Sequence, residues 1–180
     1  MHIQKTSNNS ITRKSIKNTS RHLFSKTRII ELWEKNSLDQ YNSFSICSTD
    51  ETETIHLAEQ MALELSRRHL RKVLLVDLSG NLNASMEHID ILCAPENPKL
   101  KDIFLHHMLG ITKEISEEKT SYCGYIISST NTILTPENVS LLKTSTCRIA
   151  LISLKKTKSS ELERMKKMFD SRGLTGFVSI

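Results

Sequence analysis

Two groups of side chains in this sequence have the types and spacing that chemistry needs. The first is the polar run Ser48-Thr49-Asp50-Glu51-Thr52-Glu53-Thr54-Ile55-His56, directly after the apolar segment Ser43–Cys47. In an α/β protein a polar run at that place is where a phosphate group is held. A phosphate cradle needs glycines so that backbone N–H groups converge, a lysine for the β- and γ-phosphates, and a hydroxyl for magnesium. This run has no glycine and no lysine, and Asp50, Glu51 and Glu53 would repel phosphate. The second group is Asp77, which closes the apolar run Lys72–Val76, together with His56. Such a pair could serve as acid and base or as ligands, although a histidine at the start of a helix more often caps it or faces solvent.

Other candidates are weaker. His106 and His107 are adjacent, so on a helix they point about 100° apart, and no carboxylate or cysteine stands at ligand spacing. Cys47, Cys93, Cys123 and Cys147 lack paired spacing and read as buried reduced thiols, not as a zinc site or disulfides. Neither a metal nor a cofactor is expected.

The elements that must position these residues follow from periodicity. Ser43–Cys47 reads as a buried strand, 48–54 as a loop, and about 54–70 as a helix whose Ala58, Met61, Ala62 and Leu65 share a face. Lys72–Asp77 is a second strand, and the ligand of such a unit lies beyond the carboxyl ends of the strands. A loop at 78–83 and an irregular segment with Pro95 and Pro98 come next, then a short helix over 100–109. A strand over 122–127 leads into the loop Ser128-Ser129-Thr130-Asn131. A helix opened by Pro136 and capped by Thr135 runs to Ser145, and a strand covers 148–154. A helix over 158–172, with Leu162, Met165 and Phe169 inward and Gly173 as its cap, precedes a last strand over 176–180. The alternation predicts an α/β fold, doubly wound, with a mostly parallel sheet flanked by helices.

With 180 residues and 38% apolar content, the chain can build one such domain, expected at 22–180. The net charge of +5 is unevenly placed. Residues 1–30 hold 7 Lys/Arg and no acid, whereas 31–180 hold 18 against 20 Asp/Glu, so the domain is near neutral and the basic character sits in the tail. Residues 1–21 have the composition of an unstructured basic tail. Its Lys5, Arg13, Lys14, Lys17 and Arg21 could meet anionic lipid, nucleic acid or an acidic protein. Over 22–35 the pattern turns helical, and Trp33, the sole tryptophan, could dock that helix on the domain or on a partner. No apolar run approaches the roughly 20 residues of a membrane span, and the N-terminus lacks the apolar core of a secretory signal, so a cytoplasmic chain is expected.

Three segments resemble one family. Lys72-Val73-Leu74-Leu75-Val76-Asp77 resembles the strand that carries the second Walker acid of the bacterial tyrosine autokinases. These belong to the deviant-Walker P-loop group that includes the partition and division-site ATPases. Cys123-Gly124-Tyr125-Ile126-Ile127 is similar to the strand leading into that family's Asp-Thr-Pro-Pro. Lys155-Lys156-Thr157-Lys158-Ser159-Ser160-Glu161-Leu162 is similar to the segment entering its penultimate helix. The resemblance covers 43–180. It implies a role in capsule, exopolysaccharide and biofilm production beside a membrane polysaccharide co-polymerase, at the inner face of the bacterial inner membrane.

Carried over position by position, the resemblance loses its chemistry. Where the family has Gly-Glu-Gly-Lys-Ser/Thr, this chain has Thr52-Glu53-Thr54-Ile55-His56. Asp77 keeps the first acid of Asp-x-Asp-x-Arg, but Ser79 replaces the second acid and Asn81 the arginine, and Ser128 stands at the third magnesium-linked acid. The tyrosine cluster has no counterpart, the last tyrosine being Tyr125. Phosphoryl transfer rests on positioning and charge neutralisation, so losing these groups together would remove most of the catalysis. The resemblance therefore implies a non-catalytic pseudokinase acting as a scaffold or regulator by protein–protein binding. Two other readings stay open. One is a remodelled nucleotide- or ligand-binding enzyme using His56 and Asp77. The other is a partition-type positioning protein whose basic tail meets DNA or membrane, though no recognition-helix or aromatic pattern favours nucleic acid.

Overall fold

Strands β1 (Ser43–Ser48) and β2 (Lys72–Asp77) are nearly continuous apolar runs because both are covered on their two faces. In β2, Val73 and Leu75 point to one face while Leu74 and Val76 point to the other, and all four are buried. The computed structural model describes residues 26–48, 50–82, 85–130, 136–152, 157–161, 163 and 165, and the backbone of 176–179.

Among the described residues, six strands form one parallel sheet in the order β3-β2-β4-β1-β5-β6. The other members are β3 (Ile89–Cys93), β4 (Tyr122–Thr130), β5 (Cys147–Ile152) and β6 (Gly176–Ser179). Helices α1 (Lys26–Lys35) and α2 (Glu51–His69) cover one face, where Trp33, Phe44, Leu57, Met61 and Leu65 form the core. Helices α3 (Pro98–Ser116) and α4 (Pro136–Leu142) cover the other, around Leu105, Met108, Tyr125, Leu141 and Met165. This is the doubly wound α/β architecture that the alternation predicts.

Helix α1 is fixed by its tryptophan. The ring of Trp33 is fully buried 5.3 Å from that of Phe44, its indole N–H donates to Asp39 at 2.9 Å, and the Arg68 guanidinium lies over it at 5.5 Å. Trp33 is thus a core residue that docks α1 on the domain and is out of a partner's reach. Lys5, Arg13, Lys14, Lys17 and Arg21 lie outside the described residues, as do Thr135, Leu162, Phe169 and Gly173.

Several boundaries depart from the periodicity reading. Strand β3 falls in the segment read as irregular. Ile89 is buried and Ile91 half-buried toward the α2 face, while Asp90 is held by Lys72 at 3.1 Å and by the Tyr122 hydroxyl at 2.8 Å. The Tyr122 hydroxyl is pushed up to about 12 by burial and by the carboxylate it serves. Helix α3 starts at Pro98, pre-set for the first helical position and preceded by the cap Asn97, which accepts from the Lys99 N–H. It runs on through Gly110 to Ser116. Strand β4 extends through Ser128, Ser129 and Thr130, which pair with Ile46, Cys47 and Ser48 of β1. Helix α4 stops at Leu142, because its following turn is drawn to β1: Ser45 Oγ lies 2.5 Å from the Leu142 carbonyl oxygen and 2.6 Å from Ser145 Oγ.

Candidate functional site

The chain leaves β1 toward β2 on one side of the sheet and leaves β4 toward β5 on the other. The crevice beyond the carboxyl ends of the neighbouring strands β1 and β4 is therefore the topological switch point where such folds bind ligands. Its rim carries Ser48 and Thr130, which are register partners, with Asp77 and Ser128 paired beside them.

The expected loop over 48–54 is not formed. Only Thr49 and Asp50 separate β1 from α2, and Thr52, Glu53, Thr54, Ile55 and His56 are all helical. Asp50 is the reason. Its side chain accepts from the Glu53 N–H at 3.3 Å, its own N–H donates to Ser48 Oγ at 2.9 Å, and the Thr54 hydroxyl donates to its carbonyl at 2.6 Å. An acid followed three residues later by glutamate is a helix-start signal, and nothing in the run needs the freedom of glycine. It outweighs the expectation of a loop. The donors at the α2 N-terminus that would meet an anion are partly taken by Asp50, and Glu51 and Glu53 in the first turn already occupy the positive end of the helix dipole.

Asp77 is fully buried and its carboxylate is enclosed by donors. Oδ1 accepts from the Ser79 N–H at 3.0 Å, the Ser79 hydroxyl at 2.6 Å and the Ser128 hydroxyl at 3.2 Å. Oδ2 accepts from the N–H groups of Asn81 and Leu82, each at 2.9 Å. A carboxylate has about four acceptor positions, so this one is saturated. Ser79 and Ser128, which the resemblance sets at two acid positions, both donate to Asp77. Asn81 donates from its side-chain amide to Glu51 and ties the loop after β2 to the first turn of α2. The Lys101 ammonium reaches the Leu78 carbonyl at 3.4 Å, and the Leu78 N–H donates to the Ser128 carbonyl.

His56 lies on α2 with Nδ1 3.9 Å from Glu59 Oε2, and none of the donors on Asp77 comes from it. The pairing of His56 with Asp77 is therefore not made. Burial raises the Glu59 carboxyl, with the neighbouring His56 opposing. Among the described residues, no three His, Cys, Asp or Glu side chains converge as metal ligands. His106 and His107 are exposed on α3. The four cysteines are free thiols; burial pushes Cys47 up to about 12 and raises Cys93 too, where the Asp77 carboxylate adds to the effect. Neither is a ready nucleophile.

The fold family implies a magnesium nucleotide in this crevice, and the residues present do not fit one. The loop is too short to wrap a phosphate, no lysine stands in it, and Asp77 has no free acceptor for a metal. A groove of about 560 Å³ lies elsewhere, at the far end of α2, lined by Ile29, Leu63, Arg67, Leu70 and His88. No described helix is long and apolar enough to cross a membrane.

No family profile and no curated protein sequence matches the chain. Solved structures do. The BceF tyrosine kinase domain superposes with a TM-score of 0.58 at 10% identity, over 86% of this chain and 74% of that one. The VpsO kinase domain does so with 0.57 at 16%, over 88% and 95%. The chimerical protein CapA2B2 gives 0.53 at 15%, over 81% and 80%. The chain therefore has the fold of bacterial tyrosine kinase domains, as the three resembling segments imply.

Proposed function

We propose that this protein is a catalytically inactive relative of the bacterial tyrosine autokinases, acting as a scaffold or regulator in exopolysaccharide synthesis or export through protein–protein binding. The observation that carries the reading is the enclosure of Asp77 by Ser79 and Ser128. Both stand where the resembling kinases hold magnesium, and the carboxylate is spent inside the fold. The self-capped start of α2, with three acids and no lysine, supports the same conclusion. Phosphate brought there would meet repulsion where a kinase supplies neutralising charge. A membrane polysaccharide co-polymerase, or another protein of the export machinery, is the partner this reading names. Peripheral contact with an anionic membrane through the basic tail belongs to the same proposal.

Isothermal titration with ATP and with ADP, each with and without magnesium, tests the reading. No heat of binding and no autophosphorylation are expected, and micromolar nucleotide binding would overturn it. Co-purification with the co-polymerase from a polysaccharide-exporting cell tests the scaffold role, which fails if the chain is recovered free of every export protein.

A further inference from the structure

Helix α3 buries Leu105, Met108, Thr112 and Ile115 against the sheet and turns a second stripe outward. That stripe is Lys99, Ile103, His106 with His107, Gly110 and Glu114, all exposed and spaced by three or four residues as on a helix–helix seam. Ile103 is 66% exposed and Leu100 beside it 55%, both large for an outer helix face. Gly110 is the odd member. Glycine in a helix interior is less stable than alanine, and a Cβ built there meets nothing within 4 Å, so no contact inside the chain calls for it. It leaves a notch in the outer face. Lys113 and Lys119 are both drawn to Glu117, at 4.0 and 2.6 Å, and among the described residues no ion pair engages Lys99 or Glu114.

The stripe is complementary to its own reverse. Turned by a two-fold axis between His106 and His107, it places Lys99 against Glu114 and Ile103 against Gly110. We propose that α3 is a homodimer interface, crossing a second copy of itself antiparallel with Ile103 of each copy seated on Gly110 of the other. The charges match in this direction only: a parallel crossing would set lysine on lysine and glutamate on glutamate. One helix pair covers a small area, so the dimer is concentration-dependent and not obligate.

Sedimentation velocity over a concentration series of the full chain tests this. The protein is expected to shift from monomer to dimer across the series. Gly110→Leu should leave a monomer at every concentration with an unlowered melting temperature, because the added side chain meets open space within the chain. Lys99→Glu or Glu114→Lys alone should each weaken association about tenfold, and the two together should restore it, because the ion pairs re-form with their signs exchanged. The proposal is overturned by a wild-type chain that stays monomeric, a Gly110→Leu protein that still dimerises, or a double charge exchange that associates no better than either single variant.

Discussion

The Ser128 hydroxyl, at the end of β4, donates across the sheet to Oδ1 of Asp77, at the end of β2, over 3.2 Å. This one bond joins the carboxyl ends of two neighbouring strands and makes the two residues a structural pair. Asp77 should therefore matter for stability and not for nucleotide binding. Asp77→Ala leaves the backbone donors at Asn81 and Leu82, the second of them buried, without an acceptor and should cost about 3 kcal/mol, whereas Ser128→Ala should cost about 1 kcal/mol. Urea denaturation of both variants measures this. Equal losses would mean that the carboxylate is not the hub.

Gly124 is fixed by a close approach. A Cβ there would lie 1.9 Å from the Asn42 carbonyl oxygen, which accepts from the Tyr125 N–H at 3.1 Å. Gly124→Ala must push apart the start of β4 and the entry to β1, and a loss of about 3 kcal/mol or failure to fold is expected. Thermal melting reads the change, and a melting temperature equal to the parent's would refute the contact.

Leu70 ends α2 in the left-handed region, at φ 51°, and is 89% exposed. A branched side chain is strained there and packs against almost nothing. Leu70→Gly should stabilise the protein by about 0.5–1 kcal/mol. A lower denaturation midpoint would show that Leu70 is needed beside the groove it lines.

Glu64 carries a pH signature. Its side chain is 4% exposed and held by Arg67 at 2.7 Å and Arg68 at 2.6 Å. The hydrogen bond from Arg67, with that from Arg68, holds its carboxyl below the ordinary range against the effect of burial. A carboxyl depressed on folding contributes stability above its unfolded pKa of about 4.3, and that contribution is lost as pH falls through the lower folded value. Glu64→Gln should thus cost about 2 kcal/mol at neutral pH, and the difference from wild type should close in acid. Stability curves for the two proteins, taken from pH 7 downward, test the sign.

The β1–α2–β2 unit was legible because its apolar residues repeat at helical and strand periods, and the sheet followed from the alternation. Trp33 was legible as a docking residue, since a large ring on a short amphipathic helix needs a core. The closed crevice was only half legible. Missing glycines and lysine told what residues 48–56 lacked, but the pair Asp50 and Glu53, which made the segment a helix, was read as charge alone. Strand β3 was hidden because an edge strand of five residues beside Pro95 and Pro98 gives little periodicity. The hydroxyl donors on Asp77 come from positions 51 residues apart for Ser128 and two for Ser79, and only the folded sheet brings the first of these to it.

The enclosure of Asp77 also sets the cost of building a metal site here by mutation. Replacing Ser79 or Ser128 by an acid would set a second carboxylate against a buried one without a cation between them, at a cost in stability. Neither change alone would lengthen the turn between β1 and α2, which would need inserted residues. Each step toward a metal site is thus a loss until several have occurred together, so substitutions taken one at a time do not lead there.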